Sequence, residues 1–489
     1  MARGGEPGAA IARNAFFLVL GQVATTALAI LLSAALGRTL GAADFGLYFL
    51  VLSMSAFAGV FADWGQFLLL VREVAREPGR AGNLLGTSLA IRVAGTAIVS
   101  VPAYVASWLL GYDARTCLYS VVFIWASLPL FLAQAYGMVF RGRDRMGLDA
   151  TISVSNKAIV LGATVALLAL GAGIPGVIAA QALAGVGALA VAVRLYRRLG
   201  AGPLHVSGDA ARAVLAAGAP IVAMTAAVAV QPYLDVVILS KLAPAASVGW
   251  YGAAKNIIGT LFAPAVILAS ASYPRLSRTA RDPAAFRPEF RAALRPLLWL
   301  GALGGVGTFL FADVAVGLIY GAKGFGPSGA ILKVFGVGLF LMFIDVLLGH
   351  VITATGRSTG FAVAKVASVV VSTALDFYLI PLFQHRYGNG GIGVIVAFAS
   401  SEIVVFAGSL YLMPRGSLEP RIAVDVARSV ACAAVTAFLF VLLPPLSPFL
   451  AIPLCVVVFA AASLALGLVS RADLVLLGKL LPGARASRG

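Results

Sequence analysis

Hydrophobic residues in this chain form long unbroken runs, not the narrow periodic stripes of water-soluble helices. The runs lie at 14–36, 46–71, 83–111, 116–140, 150–171, 174–195, 213–239, 248–274, 293–319, 327–353, 360–383, 390–413, 423–443 and 449–469. Each is close to or above the ~20 apolar residues that a helix needs to cross a hydrocarbon core about 30 Å thick. Charged and polar positions collect between them. The pattern predicts an all-α polytopic membrane protein of about 14 transmembrane helices. The first run is too long for a signal-peptide core of about 7–15 residues and reads as a retained span.

Composition agrees. Of 489 residues, 61% are apolar, against about 45–50% in soluble domains. Only 11% are charged, against about 25%. Such a chain cannot cover itself with a polar surface, so most of its solvent is lipid. Cys117, Cys432 and Cys455 sit inside apolar runs without metal-ligand spacing and read as small hydrophobes.

The formal net charge is +17. No nucleic-acid motif accompanies it, and anionic headgroups explain it better than nucleic acid does. With the amino terminus inside, cytoplasmic segments carry most of the arginines, among them Arg3, Arg72, Arg76, Arg141, Arg143, Arg275, Arg278, Arg291 and Arg295. The other side carries only Arg38, Arg115, Lys241, Lys323 and Arg386. This bias predicts a multi-pass protein of the cell's inner membrane with both termini cytoplasmic. The longest loops, Tyr196 to Arg212 and Arg275 to Arg291, are both cytoplasmic, and no soluble domain is inserted.

The chain also repeats itself. LGRTLGAADFGLY (Leu36–Tyr48) aligns with LSKLAPAASVGWY (Leu239–Tyr251) at an offset of 203, matching Gly46 to Gly249 and Tyr48 to Tyr251. Arg72 meets Arg275 at the same offset. Further on, Arg141-Gly142-Arg143 is similar to Thr355-Gly356-Arg357, and Gly176-Val177-Ile178 to Gly393-Val394-Ile395. Six spans separate the copies, so both have the same orientation. The expected domains are an N-lobe at 14–195, a cytoplasmic linker at 196–212, a C-lobe at 213–413 and two further spans at 423–469. Parallel repeats of this kind place a substrate between lobes near the midplane.

The stretch LGRTLGAADFGLY followed by FADWGQFLLLVREVAR (Phe61–Arg76) resembles the amino-terminal signature of bacterial polysaccharide transporters. YLDVVILSKLAPAASVGWYGAAKNIIG (Tyr233–Gly259) followed by YPRLSR (Tyr273–Arg278) is similar to the same signature in their second lobe. The resemblance covers most of 14–413. It points to the O-antigen flippase (Wzx-like) branch of the multidrug/oligosaccharidyl-lipid/polysaccharide superfamily. It implies two six-helix lobes plus two helices, a MATE-like fold. It also implies alternating access that carries an undecaprenyl-pyrophosphate-linked oligosaccharide to the outer leaflet. The implied partners are that cargo, membrane lipids and the polysaccharide polymerase machinery. The resemblance implies no bound cofactor and no bond-making chemistry, and it leaves proton or sodium coupling open.

Ionisable groups at membrane depth are functional candidates by default, each with a partner to be named. The basic candidates for a cargo cavity are Arg38, Arg92, Lys157 and Lys255. In the resembled family Gln22 and Gln66 lie on spans facing that cavity, where contact with sugar hydroxyls and helix–helix hydrogen bonding are both open. Matched depth suggests the pairs Asp235–Lys255, Lys333–Asp376 and Asp345–Lys365, as structural ion pairs or as coupling sites. Asp63 reads as a partner of Arg92 or as a coupling carboxylate. Glu402 has no evident partner and reads as a further titratable coupling candidate. Arg92 and Lys157 are each about 12 Å in from the cytoplasmic end at 1.5 Å per residue, where a long side chain can also snorkel to the interface.

Three other functions fit the same architecture. A proton- or sodium-driven drug or metabolite exporter needs a carboxylate-centred cation site. A peptidoglycan-precursor flippase shares the cationic-cavity logic. A membrane glycosyltransferase needs paired acids or a metal on an external loop, but those loops are short, and His205, His350 and His385 are scattered.

Overall fold

The computed structural model describes residues 6–200, 202–280, 282–321, 324–414, 416–417, 419–444 and 446–469, with side chains from residue 20 onward except at 68, 224, 227 and 228. Arg3, Lys323 and the basic stretch after 469 lie outside the described residues. The helices are α1 (Glu6–Asp63), α2 (Gln66–Arg76), α3 (Ala81–Leu109), α4 (Ala114–Gly142), α5 (Met146–Ala169), α6 (Gly173–Arg198), α7 (Gly208–Ala229), α8 (Gln231–Leu242), α9 (Ala245–Thr279), α10 (Pro283–Tyr320), α11 (Pro327–Ala354), α12 (Ser358–Tyr387), α13 (Gly390–Leu412), α14 (Pro420–Leu442) and α15 (Pro448–Ala465).

Twelve of these helices are long and apolar enough to cross a membrane. The count meets the expected fourteen runs at two places. The apolar part of α1, Leu20–Asp63, has 44 residues, about 66 Å at 1.5 Å per residue, or twice the hydrocarbon thickness. It breaks at Gly41 (φ 74, ψ 175), a conformation open to glycine. The expected loop at 37–45 is thus a one-residue break between two helices. The run at 213–239 is divided between α7 and α8, where Pro232 lacks the N–H that a continuous helix would use. A similar division at Trp64 and Gly65, both at positive φ, ends α1 and sets off α2.

The expected cytoplasmic loop at 275–291 is largely helical. Arg275 and Arg278 ride on α9, and Arg287, Arg291 and Arg295 on α10. Arginine is a good helix former, and a helix leaving the bilayer keeps its backbone bonds whether or not its side chains turn polar.

The described residues up to Ala253, with Ile319–Phe325, form one compact unit; Ala254–Leu318 and the described residues from Gly326 form a second. The first has a core of Leu85, Tyr136, Val139, Phe140, Ile152 and Tyr196, with buried Ala188 and Ala192. A smaller cluster joins Val51, Phe123 and Ile178. In the second unit Ala302, Val306, Cys432 and Phe459 form a cluster. There a Cβ on Gly305 would meet the Gly336 carbonyl at 2.8 Å, and one on Gly336 the Gly305 carbonyl at 2.9 Å. Such close backbone approach is how membrane helices pack where lipid gives no hydrophobic drive. Large apolar side chains face outward, with Phe449 90% exposed, as a lipid-solvated surface requires. All three cysteines are free and buried.

The two sequence segments of the proposed repeat cross within the first unit. A Cβ on Gly46 would run into the Ala245 carbonyl, and one on Gly249 into the Ala42 carbonyl. Positions 42 and 245, like 46 and 249, are related by the offset of 203. The two approaches thus exchange partners at the same sequence offset. Phe49 packs against Gly252, its own equivalent, and lies edge-on to Tyr251 at 6.3 Å.

Candidate functional site

Among the described residues the largest fully buried side chain is Arg92, on α3, at 1% exposure. Its guanidinium donates to Asp63 at the end of α1 through a short contact, to the Phe131 carbonyl on α4 at 2.7 Å and to Met138 Sδ at 3.5 Å. A cation at that depth is tolerated only with such partners. Asp63 is half-buried and also receives the Phe67 backbone N–H at 3.4 Å. The Arg92–Asp63 pair therefore ties α1, α3 and α4 together at the Trp64–Gly65 break. One turn away, Gln66 is buried and accepts a short hydrogen bond from Ser88, while its Nε2 has no partner.

Lys157 differs from Arg92. It is half-buried on α5 and makes no ion pair among the described residues. Gln22 is exposed and donates to Thr26 at 3.3 Å. Arg38 is also exposed, and its Nε donates to the Ile319 carbonyl at 2.9 Å. Asp235 is buried on α8, and Lys255 is half-buried on α9.

Arg38 belongs to a wider set of contacts around the repeat crossing. Tyr320 is fully buried; its hydroxyl donates to the Ala253 carbonyl at 3.2 Å and hydrogen-bonds Ser33 at 2.7 Å. Its ring stacks on Phe325 at 4.9 Å, and Phe45 meets both rings edge-on. Trp250 donates to the Gly324 carbonyl at 2.6 Å. Ile319, Tyr320, Gly324 and Phe325 thereby tie the α1 and α9 repeat segments together.

In the second unit Lys365 on α12 is shared by two acids. Its ammonium lies 2.8 Å from Asp345 on α11 and 3.5 Å from Glu402 on α13. Sequence depth suggests the first contact but leaves Glu402 without a partner; the fold supplies it. Two carboxylates face one ammonium, and Asp345 Oδ1 has no hydrogen-bond partner. Lys365→Met leaves both acids unneutralised at depth. It is expected to destabilise the protein by about 3–5 kcal/mol, while Glu402→Gln, which removes the surplus charge, keeps the melting temperature. Thermal unfolding of the purified variants checks this, and equal melting temperatures for both would contradict it.

Lys333 pairs with Asp313 on α10 at 2.6 Å, not with Asp376 as depth suggests. Asp376 is fully buried on α12. Two further pairs escape the sequence reading. Arg141 meets Asp149 at 2.7 Å across the α4–α5 turn. Arg291 grips Asp425 on α14 through two bonds of 2.7 and 3.1 Å, with Asp425 1% exposed. Asp313 and Asp425 both lie inside predicted apolar runs, and an isolated acid at that depth was the available signal.

Between α1, α3, α7 and α8 runs a groove of about 980 Å3 walled by Phe57, Phe61, Gly95, Ile98, Tyr233 and Val237, among other apolar residues.

The sequence model of the family described as polysaccharide biosynthesis protein matches residues 11–280. No protein among the curated sequences matches the chain. Among solved structures, the lipid II flippase MurJ in an inward closed conformation is similar at 15% identity and a TM-score of 0.73, over 94% of this chain and 100% of that one. An inward-facing multidrug resistance MATE family transporter of the MOP superfamily aligns at 15% identity and a TM-score of 0.62, over 79% and 93%. The Vibrio cholerae MATE transporter VcmN in its bent form aligns at 16% and 0.54, over 83% and 96%. These likenesses show that the chain shares the fold of these transporters.

Proposed function

The chain belongs to the polysaccharide biosynthesis protein family, and from that premise we propose that it is a flippase for lipid-linked oligosaccharides. Its cargo is an undecaprenyl-pyrophosphate-linked sugar repeat unit, which it moves from the cytoplasmic to the outer leaflet of the inner membrane by alternating access. It makes and breaks no bonds itself, and both termini face the cytoplasm. The observation that carries this reading is the family match, which spans more than half of the chain. An all-helical membrane architecture supports it.

The site chemistry is consistent. A pyrophosphate headgroup that crosses the bilayer sheds water, and fixed cations replace part of that hydration. Arg92 is neutralised by Asp63, so Lys157 is the better candidate to meet the cargo's charge. Lys157→Ala is expected to lower cargo transfer about tenfold or more, the scale of a charged hydrogen bond worth ~1.5–3 kcal/mol, at unchanged expression. Lys157→Arg is expected to retain most of the transfer. Normal transfer by Lys157→Ala would leave this lysine a snorkelling side chain.

The function itself is tested by deleting the gene in its host and assaying surface polysaccharide together with the lipid-linked sugar pool. Loss of polymer with complete lipid-linked units trapped on the cytoplasmic leaflet is the expected result. Truncated lipid-linked sugars would indicate an enzyme, and new drug sensitivity with normal polysaccharide an exporter.

A further inference from the structure

We infer that the break at Trp64–Gly65 and the facing stretch of α7 form a latch, which holds α7 against the break and parts during transfer. Its place in a transfer cycle rests on the flippase reading; the contacts that make it do not. Among the described residues Trp64 is one of two non-glycine residues at positive φ, at 51°. A bulky side chain crowds its own backbone in that region, and the conformation persists only where its surroundings hold it. Nothing local forces it. No proline lies between Gly46 and Arg76, so α1 and α2 could run on as one helix. Gly65, left-handed at φ 70 and ψ 12, permits the break without requiring it. The cause is tertiary.

Most of what holds the break comes from α7. The Trp64 indole N–H donates to the Leu215 carbonyl at 3.0 Å. A Cβ on Gly218 would lie 2.3 Å from the Trp64 carbonyl oxygen and 2.8 Å from its ring. A Cβ on Gly65 would lie 2.9 Å from the Ile221 Cβ and 3.0 Å from the Gly218 carbonyl oxygen. Leu215, Gly218 and Ile221 follow one another at i, i+3 spacing, which puts neighbours on one helix face. On the far side Asp63 is tied to Arg92 and accepts the Phe67 N–H at 3.4 Å. The break is thus anchored on α3 and gripped by α7. Strained backbone of this kind clusters at switch regions. Docked α7 stabilises the break, and with α7 withdrawn the same residues favour an unstrained conformation. The contact therefore has two discrete arrangements, as a switch requires.

Its position suits an inner closure. Leu215 is about 10 Å along α7 from Gly208 at 1.5 Å per residue, near the end that the arginine bias assigns to the cytoplasm. Trp64 and Leu215 also line the apolar groove, at its Ile91 end, since the adjacent Arg92 holds Asp63. The other end of the same helical segment meets Gly249 at Gly46, about 26 Å from Asp63 along the helix. A segment gripped at both ends by separate glycine contacts can release one and keep the other.

The test uses the full-length protein in inside-out membrane vesicles, with the buried cysteines removed as Cys117→Ala, Cys432→Ala and Cys455→Ala. Ile221→Cys places a thiol against Gly65. Its rate of reaction with a membrane-impermeant maleimide reads how often the latch parts. Trp64→Phe keeps a ring and loses the N–H donor, and it should raise that rate about tenfold, equivalent to ~1.4 kcal/mol. Gly218→Leu, which drives backbone from backbone, should raise it further. Gly79→Leu, at a glycine with open space around its Cβ position, should leave it unchanged. An unchanged rate in Trp64→Phe would overturn the latch, and that variant decides alone where Gly218→Leu fails to reach the membrane. An equal rise in Gly79→Leu would overturn it too, by making the effect general loosening. Labelling needs no cargo. The expected rates in a protein that fails the deletion assay would retire the flippase reading and leave the latch standing.

Discussion

Gly46→Leu and Gly249→Leu are each expected to abolish transfer at normal expression, and even Gly46→Ala should impair it. At Gly46 a Cβ alone would lie 2.8 Å from the Gly249 backbone nitrogen as well as running into the Ala245 carbonyl. These obstacles are backbone atoms, so no side-chain rotation relieves them and the two helix segments must separate. Overpacking of this kind costs about 1–3 kcal/mol. Applied to a state stabilised by the crossing, that cost shifts its population about 5–150-fold against its alternatives. If alternating access requires the crossing to form in one state, transfer stalls although the protein folds. The reciprocal geometry adds a sharper expectation: the two leucine variants should be about equally defective, because each intrudes on the repeat-related partner of the other. Surface polysaccharide in a complemented deletion strain, read beside protein level in the membrane, decides the matter. A well-expressed Gly46→Leu that restores full polysaccharide would show that the crossing is not a feature of the working cycle.

Breaking the Arg92–Asp63 pair is the second large effect. Asp63→Ala leaves a guanidinium at 1% exposure with only a carbonyl and a thioether beside it. Removing one partner of a buried pair costs about 3–5 kcal/mol. Asp63→Ala should therefore lower membrane expression and the melting temperature sharply. The double replacement Arg92→Met with Asp63→Leu removes both charges and should recover most of that loss, since apolar groups of similar volume often substitute for a buried pair without penalty. Transfer by the double variant then separates two roles. Recovered stability with recovered transfer marks the pair as architecture. Recovered stability without transfer shows that charge at this position is needed for movement of cargo. A stable Asp63→Ala would contradict the buried-pair account altogether.

The fold class was legible in the apolar runs because hydrocarbon thickness imposes a length on every spanning helix, whatever the tertiary packing. The 203-residue offset likewise needed no structure, and it pairs the same glycines that cross. Helix ends were less legible. The breaks at Gly41 and Val230, and the helical extension through Arg275 and Arg291, depend on local backbone choices that hydropathy averages away.

Charge partners divide along the same line. Asp345 with Lys365 follows from depth in neighbouring spans, because antiparallel helices bring equal depths together, and Asp63 with Arg92 is one of the two readings that the sequence leaves open. Depth does not choose among several acids at one level, however. Which side chains meet is set by helix rotation and crossing, and these decided that Lys333 pairs with Asp313, that Glu402 joins Lys365 and that Arg291 grips Asp425. By itself the sequence determined a lipid-solvated bundle, its internal repeat and the family whose pattern it carries. Tertiary structure alone decided the reciprocal glycine crossing, the contacts of Tyr320 and Phe325 with the crossing and the apolar groove, since each is made by backbones and side chains distant in the chain whose approach depends on how the helices turn against one another.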